Sequence, residues 1–464
     1  MAADSASALV FSSGERSSPR LADVAGGHAF DVDALAARAL GLPPSHPGET
    51  PYEGVTCRLL EPAALPPHPT ARSLVEAPGA LRHALERAVE RSLGDARCVG
   101  VMAGGGLDSA GLLALALEWA RPRGAEVFAV ALDFAARGDD RPYLRLLERR
   151  LGCEVIRVRP EEGAPHLAWT RGVDAAPFCW LTGPMEAEMM IRARERGAEC
   201  VLMGVGGDEL FDGEPQALAR VARRGHVVTA IRRARSLRGF FAPRSRTLSW
   251  IVRPLVGGVT PRAIRMRLAR RTRPWLPAWA GPVLRRYLED LRSRDLDALD
   301  QNLARGVVVD PAQLERNRAN NAWLRHQEQI IAGIERLDPF LDRELIATVA
   351  GFEPDWLITG GIRRGLFREA LRDLLPGELL EREDKAYFEP AFVAVTNAPA
   401  GLEGMRELAD ARELAALGIV EPRPFREAFD AFVAAPDEGP PWMTIWPALC
   451  VERFLRAERR RTAT

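Results

Sequence analysis

The sequence predicts an α/β protein: a parallel sheet covered by helices on both faces, preceded by a short N-terminal region and followed by a mainly helical C-terminal part. Three observations predict it. Apolar runs of strand length alternate with helix-period segments between residues 98 and 203. Two of those runs end in glycine-rich turns that open a helix. From about residue 215 the pattern turns helical, with no comparable series of strands. Apolar strands alternating with helices belong to parallel sheets buried on both faces, and such sheets bind ligands at the carboxyl ends of their strands.

Residues 1–75 are rich in Ala, Ser, Pro and Gly with few strong apolar periods, which predicts a small or loosely packed unit, partly disordered. In the stretch from Pro78 to Gly94, Leu81, Leu85, Ala88, Val89 and Leu93 recur at helical spacing. The run from Cys98 to Ala103 reads as a buried strand, and the continuous pattern from Leu107 to Arg121 as a helix. Further strands are expected from Glu126 to Phe134, Glu154 to Val158 and Glu199 to Met203. Helices are expected between them, from Pro142 to Leu151 and from Met185 to Gly197. The segment from Pro436 to Pro440 reads as a loop and the one from Trp446 to Arg460 as a terminal helix with a basic end. The expected organisation is four segments: a reduced N-terminal unit or linker (1–75), the α/β core (76–214), an arginine-rich helical region (215–330) and a C-terminal helical part (331–464).

At 464 residues the chain exceeds one ordinary core, and 47% hydrophobic with 27% charged residues is a globular balance. Lys+Arg and Asp+Glu are both 63, so net charge singles out no partner. The six cysteines include no C-x-x-C pair, which argues against a disulfide framework or a thiolate metal site. No basic, apolar leader opens the chain and no run approaches membrane-spanning length, so a cytoplasmic protein without membrane insertion is expected.

Two turns carry chemistry. Gly104, Gly105, Gly106, Leu107, Asp108 and Ser109 follow the first core strand and open a helix. Glycines let backbone approach phosphates, and a helix start supplies unpaired N–H donors and partial positive charge. Asp108 can hold Mg2+ against those phosphates, and Ser109 adds a hydroxyl. No Gly-Lys-Ser/Thr follows, so this is not a Walker A loop. The second turn, Gly204-Val205-Gly206-Gly207-Asp208-Glu209-Leu210-Phe211, follows the fourth strand. Asp108 and Asp208 sharing one cation would neutralise a leaving pyrophosphate. A glycine turn packed on a strand, or a helix-capping Asp, is the plainer reading of either segment alone.

Together the two turns resemble the synthetase domain of class B asparagine synthetases, a superfamily that includes β-lactam synthetases and lasso-peptide macrolactam synthetases. The resemblance continues in Glu335-Arg336-Leu337-Asp338-Pro339-Phe340-Leu341-Asp342, in the segment from Arg363 to Ala370, in Leu375-Pro376, and in Lys385-Ala386-Tyr387-Phe388-Glu389-Pro390. The segment from Thr50 to Val55 resembles the linker before that domain, so the likeness spans roughly residues 50–460.

The resemblance implies a PP-loop (pyrophosphatase-type) ATP site in which a carboxylate attacks the α-phosphate. Asp108 and Asp208 would bind Mg2+, and Gly104, Gly105, Gly106 and Ser109 would wrap the phosphates. Leu132, Gly206, Gly207 and Gly333 complete the expected nucleotide site, with Arg364 in the position of a pyrophosphate-contacting lysine. Lys385, the only lysine in the chain, would stabilise charge in the amide-forming transition state. Glu335 takes the position of an acid that handles the amine.

Departures from the pattern narrow the substrate. Position 2, a glutaminase nucleophile in asparagine synthetases, is Ala2, and the preceding segment is short; glutamine is therefore not expected as nitrogen donor. Val205 and Leu337 replace a glutamate and an arginine, which suggests a more apolar pocket. Gly104 replaces a serine, removing a hydrogen bond worth on the order of 1 kcal/mol.

A lasso-type cyclase joining a peptide's N-terminal amine to an Asp or Glu side chain fits best. Its expected partners are the precursor peptide, a leader-peptide-binding protein and a leader peptidase, with no nucleic acid. The alternatives are an ammonia-dependent asparagine synthetase or other small-molecule amide synthetase, a tRNA-modifying PP-loop enzyme, and a non-catalytic binding subunit. Residues 220–273 hold sixteen arginines, and no acidic residue lies between Glu214 and Glu289. That stretch reads as solvated helix faces or as a docking surface for an acidic partner. Trp250, Ile251, Val252, Leu255 and Val256 within it are apolar enough to touch a membrane surface.

Overall fold

The computed structural model describes residues 9–14, 16–42, 45–46, 48–60, 70–135, 138–213, 218, 221–222, 225–236, 260–261, 263–264, 267, 276–305, 311–383, 386, 388–397, 405–434 and 442–462. Lys385, the loop at 436–440, residues 250–256 and most of the arginine-rich stretch lie outside them.

The N-terminal residues build a small antiparallel sheet from β1 (Leu9–Ser13), β2 (Arg16–Ser18) and β3 (Thr56–Leu59), in the order β2-β1-β3. It is well packed, not loose. Leu9, Phe11, Leu21 and Leu35 are at most 1% exposed and share a core with C-terminal residues such as Trp446 and Phe454. Asp174 fastens this unit: its carboxylate accepts from the Leu21 amide (2.8 Å), Arg20 Nε (2.9 Å) and His326 Nε2 (2.7 Å). The sequence hid this sheet because its strands are short and half polar.

The core carries α1 (Ala77–Leu93), β4 (Cys98–Met102), α2 (Leu107–Ala120), β5 (Glu126–Leu132), α3 (Arg141–Leu151), β6 (Val155–Val158), α4 (Gly183–Glu195) and β7 (Cys200–Leu202). Their ends agree with the sequence reading within two residues. The terminal helix starts four residues earlier than expected, spanning Trp442–Thr462 with Pro447 inside it. Val99, Val101, Val127 and Ala129 pack on one face of the sheet with α1 and α2; Phe128 and Val130 pack on the other with Met189, Met190 and Ala193 of α4. Alternate residues of each strand therefore serve opposite layers.

A fifth strand was not expected. After the long helix α5 (Pro311–Ala332), β8 (Glu335–Leu337) pairs in parallel with β7, giving the order β6-β5-β4-β7-β8. Its middle residue explains why sequence pattern misses it. Arg336 is buried (1% exposed), where a strand of this kind would ordinarily carry an apolar residue. It donates to Glu328 Oε2 at 2.6 Å and Asp338 Oδ2 at 3.2 Å. Burial would lower its pKa, but Asp338, Glu328 and Glu186 hold it above its usual value.

These carboxylates carry a testable pH signature. Burial pushes the Glu328 carboxyl up to about 8, with Glu186 and Asp338 adding to it against the pull of Arg336. The folded state therefore holds a proton that the unfolded chain releases near its ordinary value of 4.5. Stability should be full below that value and fall as pH rises toward 8. Glu328→Gln should flatten the fall by a few degrees of melting temperature between pH 5 and 8. An unchanged slope in that variant would refute the assignment.

Candidate active site

The strand order places β4 between β5, which follows it in the chain, and β7, which begins the other half of the sheet. The turns after β4 and β7 therefore flank the switch point, where open parallel sheets bind ligands. The first turn opens α2, and among the described residues no side chain caps that helix start. Its N–H groups are the natural anion donors of the site. Ser109 Oγ does not stand free for a ligand as expected. It accepts from the Gly104 amide at 3.0 Å and lies 3.2 Å from the Gly104 carbonyl, closing the loop on itself.

The second turn opens α6 (Gly207–Phe211). Gly206 has φ +93°, a left-handed conformation that side chains rarely adopt. Gly207 is required by contact: a Cβ there would lie 2.6 Å from Asp108 Oδ2. The two loops are thus interlocked at Asp108. Phe340 and Leu341, just past β8, press against Gly204 and Gly206.

Arg364 joins the loops. It has φ +58° and precedes a short helix, α7 (Gly365–Ala370). Its Nη1 donates to Asp108 Oδ1 at 2.7 Å, its Nε to Asp212 Oδ1 at 2.5 Å, and its Nη2 to Asp208. Arg363 also pairs with Asp212. Asp108 and Asp208, 100 residues apart in sequence, both face the Arg364 guanidinium, and carboxylate oxygens are the donor type a divalent cation such as Mg2+ takes. Among the described residues no group of three or more His, Cys, Asp or Glu side chains forms a metal cluster. A cation at Asp108 and Asp208 would therefore take its other ligands from phosphate oxygens and water, as Mg2+ commonly does. Asp212 and Arg363 were missed by sequence reading; the spacing of Asp212, one helical turn after Asp208, was the available signal.

Leu132, half-buried, ends β5 at the carboxyl edge beside these loops. Two expected residues are not brought to the site. Gly333 (φ +67°) precedes β8, beside Arg194 at the last turn of α4, which is the amino edge of the sheet. Glu335 pairs in register with Cys200, and Cys200 with Val99. It therefore sits level with a residue five positions before Gly104, on the order of 16 Å down the strand axis. No glutamate side chain spans that distance. The motif aligned Glu335, but register, which depends on β7, set its height. Lys385 lies outside the described residues; its neighbours Arg382 and Phe388 are both at the carboxyl edge, against Gly105 and Phe134 respectively.

Leu337 lines a cavity of about 190 Å3 with Arg91, Arg318, Arg325, Asp338 and Asp342, and none of these residues belongs to the two glycine turns.

Residues 80–449 match the family model described as asparagine synthase. No curated protein matches the chain. Among solved structures, the U34-tRNA thiolase NcsA from Methanococcus maripaludis with its 4Fe-4S cluster is similar at 15% identity and a TM-score of 0.24, covering 49% of this chain and 78% of that one. Among the described residues, no helix is long and apolar enough to cross a membrane.

Proposed function

The chain belongs to the asparagine synthase family of ATP-dependent amide-forming ligases, and from that premise we propose that it splits ATP to AMP and pyrophosphate, activating a carboxylate as its AMP ester for attack by an amine. The observation that carries this reading is the convergence of Asp108 and Asp208 on one cationic centre at the switch point of the sheet. Mg2+ held by these carboxylates would neutralise phosphate charge. The chain's own groups do the rest. The N–H groups opening α2 bind phosphate oxygens, and Gly206 and Gly207 keep the second loop close enough for Asp208 to share the ligand. Arg364 stands where it can turn from the carboxylates to pyrophosphate. Lys385 stabilises the charge that develops as the amine attacks.

For the substrate we propose a precursor peptide, closed into a lasso-type macrolactam between its N-terminal amine and an Asp or Glu side chain. Val205 in the second loop and Phe388, 39% exposed against Phe134 at 5.6 Å, favour apolar contacts at the strand ends. A long substrate can use such remote contacts to orient its reacting ends. A leader-peptide-binding protein and a leader peptidase are the partners this reading brings. A second reading is a small carboxylate such as aspartate joined to ammonia, favoured by the family match itself.

Mass spectrometry separates the two. A candidate precursor peptide should lose one water in the presence of ATP. Turnover should weaken as salt rises if the arginines of 220–273 contribute, because exposed charges are screened beyond about 8–10 Å. Asparagine formed from aspartate and ammonia at a comparable rate would overturn the peptide reading.

A further inference from the structure

We propose that Arg382, with Asp140, is a positioning residue that sets the first phosphate loop and ties it to the segment carrying Lys385; this rests on the ligase reading. Arg382 is nearly buried (6% exposed). Its Nη1 donates to the Gly105 carbonyl at 2.6 Å and to Asp140 Oδ1 at 2.8 Å. Its Nη2 donates to the Gly138 carbonyl at 2.7 Å, and its guanidinium lies 4.1 Å from the Tyr143 ring centre. From the other side, Arg368 of α7 donates to the Arg382 carbonyl at 2.8 Å. One residue thus connects the helix that follows Arg364, the phosphate loop and the entry to Lys385, three positions on.

Two consequences reach the loop. A trans peptide directs its C=O and N–H oppositely, so holding the Gly105 carbonyl on Arg382 turns the Gly106 N–H to the other side. Charge is the second. Asp140 Oδ2 lies 2.8 Å from where a Cβ on Gly104 would be, so a carboxylate fills the space a side chain at position 104 would take. Beside bound phosphates that carboxylate is repulsive unless Arg382 neutralises it. The glycine at 105 has its own reason: a Cβ would meet Arg382 Nη1 at 2.6 Å and the Asp140 carbonyl at 2.9 Å.

The test is calorimetric binding of Mg-ATP to the full chain, alongside amide hydrogen exchange. Arg382→Ala should weaken binding by roughly tenfold or more. The double variant Arg382→Ala/Asp140→Asn should recover most of that loss, which a merely structural role would not do. Arg382→Lys keeps the charge but cannot span both carbonyls, and should fall between wild type and Arg382→Ala. Exchange at the Leu144 and Arg382 amides, bonded to the Asp140 and Leu379 carbonyls at 2.9 and 3.2 Å, should speed in Arg382→Ala with or without nucleotide. Undiminished binding in Arg382→Ala, or a double variant no better than the single, would overturn the proposal. A wild type that binds no Mg-ATP would instead overturn the ligase reading, and unaltered exchange would overturn the tie between the first loop and the segment carrying Lys385.

Discussion

Replacing Asp108 or Asp208 by asparagine is expected to reduce ATP cleavage on the order of a hundred- to a thousandfold, with the fold intact. Asparagine keeps the shape and loses the charge, so the change tests electrostatics and not packing. Each carboxylate also meets Arg364, but the Asp208 side chain is 52% exposed, and a pair so open to solvent contributes little to stability. Asp108 is more enclosed at 15%, and its variant should lose a few degrees of melting temperature at most. Both losses should appear in the chemical step, read as AMP released per minute, and neither should be restored by more Mg2+ alone. Activity within a few-fold of wild type in either variant would remove the shared cation from the account.

Lys385→Ala is expected to cost a comparable or larger factor, on the order of a thousandfold, in amide product. The lysine's work comes after activation begins. Exchange of labelled pyrophosphate into ATP should therefore survive better than product formation, and the unfolding transition should stay near wild type. Because Lys385 is the only lysine of the chain, an amine-selective acylating reagent offers a second route to the same result. Modification confined to this residue should abolish turnover, and bound ATP should slow it. Half-maximal activity in Lys385→Ala would make it an ordinary surface side chain.

What sequence could and could not convey follows from how local each feature is. The two glycine turns were legible because glycines, an acid and a helix start sit within six residues of a strand end. The three inner strands, β5, β4 and β7, were legible because they are apolar on both faces, and the edge strand β6 because Val155, Ile156 and Val158 form a short apolar run. β8 was not, because Arg336 is buried by virtue of Glu328 and Asp338, partners that no hydrophobic pattern reveals. Glu335 matched a motif and Gly333 was expected at the nucleotide, yet register against β7 puts Glu335, and contact with Arg194 puts Gly333, at the amino edge. Arg382 and Asp140 are separated by 242 positions and meet only in the fold. Pattern reading recovers chemistry carried by one segment and, where no motif marks both, misses what two distant segments make together.

The central claim is that a substrate carboxylate attacks the α-phosphate of ATP. Turnover with substrate labelled with 18O in the reacting carboxylate tests it most directly. When the amine attacks the acyl carbon, the C–O bond breaks and the bridging oxygen leaves with the nucleotide. One labelled oxygen should therefore appear in AMP for each amide formed, with unlabelled pyrophosphate as the other product. Label in inorganic phosphate, with ADP released, would mean an acyl phosphate and would contradict the account.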